Sequence, residues 1–472
     1  MEGFAPMFRS IGARLTTGLI LGTLLMSAAV SPAAAVSHTR WVDNNTKSGG
    51  PAACNNANFN TIQDAIDASS PWDKVYVCPG DYQEQITIDV RGLEVRSIPA
   101  LGARIWAPAT VTDILLGLNA EVFIPARDVL FVGFWIKFND GLVGPFLHQN
   151  LIGECEMVDA AIWAPAPHVT IKAVHIKTVG DNTLSGDCGY LFGIVLADAG
   201  PSDSGGAWGP DTSLVWRNWV KDFKEGGILV GGDRSVRVFN NNVRYVHYYD
   251  PATCNLVPVL GVNPSADFPC ISPPFAVNTS PLDGIFTETA GIVDEGALVD
   301  FRANTVYSTL DTSIPEETPQ LSFLAAGIVL AGATDGSKMR SNLVDNVFFG
   351  IVVTDGPFIP IPVQPKPEAP DGAAVSGNRV SESFFGFFVD ASDGYYYANR
   401  AHLNIEGTVV LNGSAGNTFD HNDFRYNADL DCDDESTGGT GDLGTDNYWF
   451  SDGPNLGFDQ YPDGICFPFF II

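Results

Sequence analysis

The chain has 472 residues, with 25 Lys and Arg against 55 Asp and Glu, a formal charge of −30. Hydrophobic residues make up 45%, ample for a core, which excludes a wholly disordered chain. Nucleic acid is excluded as a partner on the opposite ground, because phosphate recognition needs a basic footprint. With 49 Gly and 31 Pro, the composition favours short strands joined by turns over long helices.

Residues 1–35 read as a signal peptide: Arg9 and Arg14, an apolar run from Leu15 to Val30, and a small-residue cleavage site at Ala33-Ala34-Ala35. No other stretch is apolar enough to span a bilayer, so residues 36–472 are expected to be a secreted, extracellular, monomeric domain. Export permits disulfides. The eight cysteines allow many connectivities; nearest-neighbour pairing (Cys54–Cys78, Cys155–Cys188, Cys254–Cys270, Cys432–Cys466) brackets one local loop each. There is no CxxC, and a zinc site is not expected.

In chain order, Asn60 to Ala68 reads as a short helix, with Ile62, Ala65 and Ile66 on one face and Asn60 and Gln63 at capping-box spacing. Lys74 to Cys78 reads as a strand, Pro79 to Tyr82 as a turn, and Ile86, Ile88 and Val90 alternate as a second strand. Then a motif recurs, Asn-x-Val followed by Gly and an apolar strand. It runs Asn218 to Gly226, Asn342 to Gly350 and Asn378 to Gly386, always with a separation of 8. Asn241 to Gly291 and Asn304 to Gly327 are further copies, lengthened by insertions at the same turn. A unit of 20–25 residues cannot bury its apolar face alone, whereas stacked units pair each strand with its equivalent in the next coil. The repeated Asn is expected to serve the backbone, tolerating an αL bend and hydrogen-bonding along the stack.

Phe59 to Ala68 followed by Val77 to Glu84 resembles the amino-terminal cap and first coil of pectin-lyase-like proteins. The tail from Asp431 through Asn447-Tyr448-Trp449 to Cys466 is similar to the terminal module of secreted bacterial members. The resemblance implies an all-β fold: a right-handed parallel β-helix of roughly ten coils, a single-stranded solenoid with a short N-terminal capping helix. The N-terminal cap would span about residues 38–90, and a disulfide-closed C-terminal cap about 429–472.

This superfold hosts lyases, hydrolases, esterases and non-enzymes, so chemistry has to be argued from residues. Gly80-x-Tyr82-x-Glu84 matches a motif of pectin methylesterases, but their later Asp-bearing stretches are missing. The Gly-His-Gly of polygalacturonases and the Arg-x-Pro-x-x-Arg of pectate lyases are missing too. The insertions before Gly291 and Gly327, with a third at 177–192, would wall a groove along one edge of the stack. On that edge Asp222, Glu225, His247, Asp250 and Asp311 are the candidate catalytic groups. Lys224, Tyr248 and Tyr249 are the candidate substrate contacts.

Asp198, Asp233, Asp294, Asp335, Asp355 and Asp390 each follow a glycine-led strand and read as turn formers. Asp429-x-Asp431-x-Asp433 imitates the start of a calcium loop without its sixth-position Gly, leaving Ca2+ as the one cofactor to consider. Binding or processing of an extracellular polysaccharide is the expected function, by a lyase or glycoside hydrolase if the chain is an enzyme. A polyanion is disfavoured by the net charge unless calcium bridges it. The alternative is a non-catalytic cell-envelope, matrix or adhesion protein that uses the solenoid as a rigid scaffold.

Overall fold

The computed structural model describes residues 37–44, 50–108, 119–137, 158–177, 190–197, 212–221, 223, 226–232, 235–247, 290–295, 298–310, 326–332, 336–354, 372–436, 441, 445–450, 452, 460–461 and 465–466. Strands of these segments form three parallel sheets of 13, 10 and 12 members, here the first, second and third sheet. One coil visits each in turn. The chain runs from Ser235–Phe239 in the first sheet to Asn242–His247 in the second and Ala290–Glu295 in the third, then back to the first at Leu298–Arg302. The expected all-β, right-handed parallel β-helix is therefore the architecture found, with Ile62–Asp67 as its one described α-helix. The signal-peptide reading falls on residues outside the described ones.

The Asn-x-Val motif makes the corner between the first and second sheets. The residue before each Asn has positive φ: Arg217 56°, Ala303 52°, Ser341 54°, Ala398 51°. The Asn side chains do something else. Asn342 donates its N–H and Nδ2 to Oδ1 of Asn378, at 3.0 and 2.9 Å, and Nδ2 also reaches the Phe301 carbonyl at 3.1 Å. The same pattern joins Asn218, Asn241, Asn304, Asn342, Asn378, Asn399 and Asn422 into one buried ladder. Thus the expectation divides: the stack-long hydrogen bonding is observed, while the αL bend belongs to the preceding residue. The ladder ends on Asp452, which accepts from the N–H and Nδ2 of Asn422.

Two shorter ladders occupy the other corners and also end on aspartates, Asn404–Asn427–Asp431 and Asn417–Asn447–Asp434. An ionised aspartate accepts but cannot donate onward, so in that form it closes a stack without offering a donor for another coil.

The Gly of one copy lies under the Val of the next. A Cβ on Gly327 would fall 2.3 Å from Cγ1 of Val344, and one on Gly193 2.4 Å from Cγ1 of Val220. The pairing aligns Gly193, Gly227, Gly327, Gly350 and Gly386 in one column, whereas Gly226 pairs in the column of Phe192 and Ala290. The equivalent of Gly350 is thus Gly227, and the separation of 8 does not hold in that coil.

At the N-terminal cap the helix cap is Thr61, whose Oγ1 accepts from Asp64, one residue later than the expected Asn60. Glu84 accepts the N–H groups of Ile62 and Gln63, both at 2.9 Å, and the Tyr82 hydroxyl donates to the Cys78 carbonyl. The Gly80-x-Tyr82-x-Glu84 motif is accordingly a device for seating the capping helix. Disulfides Cys54–Cys78 and Cys432–Cys466 are formed as expected. Cys155, Cys188, Cys254 and Cys270 lie outside the described residues.

Two acidic readings are corrected. Asp294 is no turn residue; it is fully buried within Ala290–Glu295, in register with the core residues Val230 and Leu330. Asp431 and Asp433 do not converge as calcium-loop ligands would. Asp431 is buried and accepts from Asn427, while Asp433 alternates to the outer face of the third sheet.

Candidate functional site

The insertions leave and return in register. His247 pairs with Leu310 at the ends of adjacent second-sheet strands, and Ala290 pairs with Ala326 where the chain resumes in the third sheet. Residues 248–289 and 311–325 therefore join the same two sheets across the same edge, as do 138–157 and 178–189. From Leu343–Asp345 onward this connection shortens to a few described residues, 346–348, 382–384 and 403–405. Beyond that point the third sheet presents its outer face next to short connections.

That face is apolar through most coils. Phe123, Trp163, Leu229, Val293, Val329 and Val352 belong to a buried cluster separate from the interior core. Toward the C-terminal coils it becomes an aromatic shelf. Phe349 and Phe385 are adjacent in register and stacked, with ring centroids 5.0 Å apart and planes at 14°. Phe348 stacks on Phe384 at 4.9 Å, and Phe388 meets Phe349 edge-on at the same distance.

Both columns of this shelf reach a carboxylate, and that of Asp433 continues to Tyr461. In one, Phe349 and Phe385 are followed by Glu406; in the other, Val352, Phe388 and Val409 are followed by Asp433. Both acids are half-buried. They stand on adjacent strands, offset by three residues, so their Cα atoms are roughly 11 Å apart at ordinary strand rise and spacing. Burial, reinforced by Asp433, Asp429 and Glu435, pushes the Glu406 carboxyl up to about 7. Burial, with Glu435, Asp434 and Asp429 as lesser contributors, raises Asp433 to about 6. Oδ1 of Asp433 is buried without a hydrogen-bond partner. Near neutral pH this pair holds one proton readily given and one carboxylate ready to accept. Among the described residues no group of three or more His, Cys, Asp or Glu side chains could hold a metal ion.

The acids singled out from sequence are not these. Asp222, Lys224, Glu225, Tyr248, Tyr249, Asp250 and Asp311 lie outside the described residues; of His247, only the backbone is described, as the end of its strand. Glu406 and Asp433 carried a signal nonetheless. Each replaces an aromatic or aliphatic residue in an otherwise apolar column, and that substitution becomes visible once the coils are aligned by their inward glycines.

The second sheet qualifies the argument from net charge. On its outer face Trp135, His175 and Trp219 form one column, with His175 edge-on to both indoles at 4.8 and 5.2 Å. Beside it runs a column of Lys137, Lys177, Lys221 and Arg244. A chain of −30 thus still gathers basic side chains in one column.

No protein-family profile matches the chain, and no curated protein matches it. Among solved structures it is similar to the DFA-IIIase from Arthrobacter chlorophenolicus A6 without its lid. That likeness has 12% identity and TM-score 0.45, and covers 88% of this chain and 95% of that one. Pectate lyase Pel9A is similar at 10% identity and TM-score 0.40, over 78% of this chain and 77% of that one. An alginate lyase from Paenibacillus sp. str. FPU-7 follows at 13% identity and TM-score 0.37, over 78% and 94%. At these identities the likeness is one of fold alone.

Proposed function

We propose that the protein is a secreted polysaccharide-processing enzyme whose reaction centre is the Glu406–Asp433 pair at the end of the aromatic shelf. The observation that carries this is the placement of two outward carboxylates on neighbouring coils where a stack of phenylalanine rings gives out. Aromatic rings take the apolar faces of sugars, and the paired acids supply proton transfer beside them. Glu406, the more readily protonated, gives its proton to the glycosidic oxygen as the bond to the anomeric carbon breaks. Asp433 takes a proton from the water that bonds to that carbon. A backbone separation of roughly 11 Å favours the wide carboxylate spacing that leaves room for this water, hence hydrolysis with inversion.

The test is a screen of the purified protein on neutral and acidic polysaccharides, with and without calcium, following reducing ends, unsaturated products and product anomer. Reducing ends of inverted configuration, lost in Glu406→Gln and Asp433→Asn, are expected. Unsaturated products would replace hydrolysis by elimination. Full activity in both variants would move the centre elsewhere, toward Asp250 and Asp311. Absence of binding and cleavage on every polymer would favour the non-catalytic scaffold.

A further inference from the structure

The same terminal coils carry a second array of aromatic rings, on the first sheet. Strands Tyr395–Tyr397, Thr418–Asp420 and Tyr448–Phe450 are consecutive, pairing Tyr395 with Thr418 and Tyr448, and Tyr397 with Asp420 and Phe450. The middle residue of each points inward: Tyr396, Phe419 and Trp449 stack at 4.6 and 4.0 Å within the core. Strand alternation then sends Tyr395, Tyr397, Tyr448 and Phe450 outward. They remain 44%, 42%, 38% and 50% exposed.

The four rings are ordered. Tyr395 and Tyr397 lie 6.1 Å apart with planes within 7°, and Tyr448 and Phe450 lie 6.5 Å apart with planes within 4°. Two strand spacings separate the pairs by about 10 Å. Folding gains little from large rings left in water, so a contiguous set of them marks a contact surface.

We propose that this array is a second carbohydrate-binding surface, which takes a neutral polysaccharide by laying sugar rings against the aromatic side chains. Charge complementarity selects that occupant. The one acid at the outward positions of these strands is Asp420, and it is already engaged: the Tyr395 hydroxyl donates to Oδ2 at 3.0 Å, and the His421 ring lies against Oδ1. What remains outward is uncharged: Thr418 and three tyrosines, which bear hydroxyls, and one phenylalanine. A neutral chain of hydroxyls meets no charge it must desolvate there, whereas a uronate polymer would be brought against Asp420. The array stands on a different sheet from Glu406 and Asp433, and it would hold bulk substrate independently of their chemistry.

The experiment is depletion of the protein from solution by microcrystalline cellulose and by insoluble chitin, with a polygalacturonate gel as the acidic control. Wild type should be retained by at least one neutral polymer. Tyr397→Ala/Phe450→Ala should lower retention at least tenfold with an unchanged melting temperature, since both rings are exposed. Tyr397→Phe should retain binding, and Glu406→Gln should bind as wild type does. Hence loss of catalysis and loss of this surface are separately readable. Equal retention of wild type and the double variant overturns the proposal, as does retention by polygalacturonate alone. A dimer that Phe450→Ala converts to monomer, with sugar retention unaltered, would show a self-association face and overturn it as well.

Discussion

A Cβ placed on Gly350 would sit 2.2 Å from Cγ1 of Val380 and 2.4 Å from the carbonyl oxygen of Gly386. The valine of one strand thus packs straight onto the backbone of the next, and the contact recurs at Gly193 and Gly327. Gly350→Ala should therefore destabilise the fold by ~1–3 kcal/mol, the usual range for overpacking. Trimming the valine in Gly350→Ala/Val380→Ala should recover only part of the loss, because the Gly386 carbonyl still obstructs the methyl. Denaturant midpoints of the two variants check this; full recovery would mean that the side-chain clash alone matters.

The asparagine ladder gives a second prediction. Asn342→Ala removes the acceptor of the Asn304 N–H and Nδ2 and the donor to Asn378 and Phe301, all buried. Each buried group left unpaired costs ~1–3 kcal/mol, so this one change should rank among the most damaging in the stack. Asn342→Asp should fare little better. It keeps an acceptor for Asn304, yet has no amide to reach Oδ1 of Asn378. If Asn342→Asp melts with wild type, the side-chain donor contributes nothing and the ladder reading fails.

How much of this was legible can be traced through particular residues. The stacking architecture was, because Asn342, Val344 and Gly350 recur as Asn378, Val380 and Gly386 with identical spacing, and a repeat is a statement about sequence. The phase of the repeat was less so. Gly226 and Gly227 are adjacent, and only strand pairing shows which of them continues the column of Gly193. Asp294 was misread because acids after glycine-led strands usually make turns; here its strand runs one residue past it, which carries the side chain inward. Glu406 and Asp433 were missed for a related reason. Their meaning lies in the residues before them in a column, Phe385 and Val409, and columns join positions about 20 residues apart.

Asp452 yields a prediction about pH. Burial pushes its carboxyl up to about 7, against the two hydrogen bonds from Asn422 that favour the ionised form, and Oδ2 is buried without a partner. The folded protein thus holds this proton more tightly than the unfolded chain, where an aspartate titrates near 4. Its contribution to stability is complete below about pH 4 and is lost as pH rises through about 7. Glu406 and Asp433 act in the same direction, so the informative comparison is with Asp452→Asn. That variant should match wild type near pH 4 and melt higher at pH 8, with a flatter dependence between. Parallel curves for the two proteins would show that Asp452 does not titrate in this range.

The paired acids themselves predict a narrow pH optimum. The productive form has Glu406 protonated and Asp433 ionised; with the two titrating at about 7 and about 6, that form is best populated between those values. The alkaline limb belongs to the pair jointly, since Asp433 helps to raise Glu406. A plot of kcat/KM against pH should be bell-shaped, falling below about 6 and above about 7. General acid or base catalysis contributes about 10²–10⁴-fold, so Glu406→Gln and Asp433→Asn should each lose at least ~100-fold on polysaccharide. The two losses differ in kind. A substrate with a good leaving group needs no proton from Glu406, so an aryl glycoside of the preferred sugar should restore Glu406→Gln and abolish its alkaline limb. It should not restore Asp433→Asn, which lacks the base that activates water. A profile flat from pH 4 to 9, or rescue of Asp433→Asn instead of Glu406→Gln, would sink the assignment of roles.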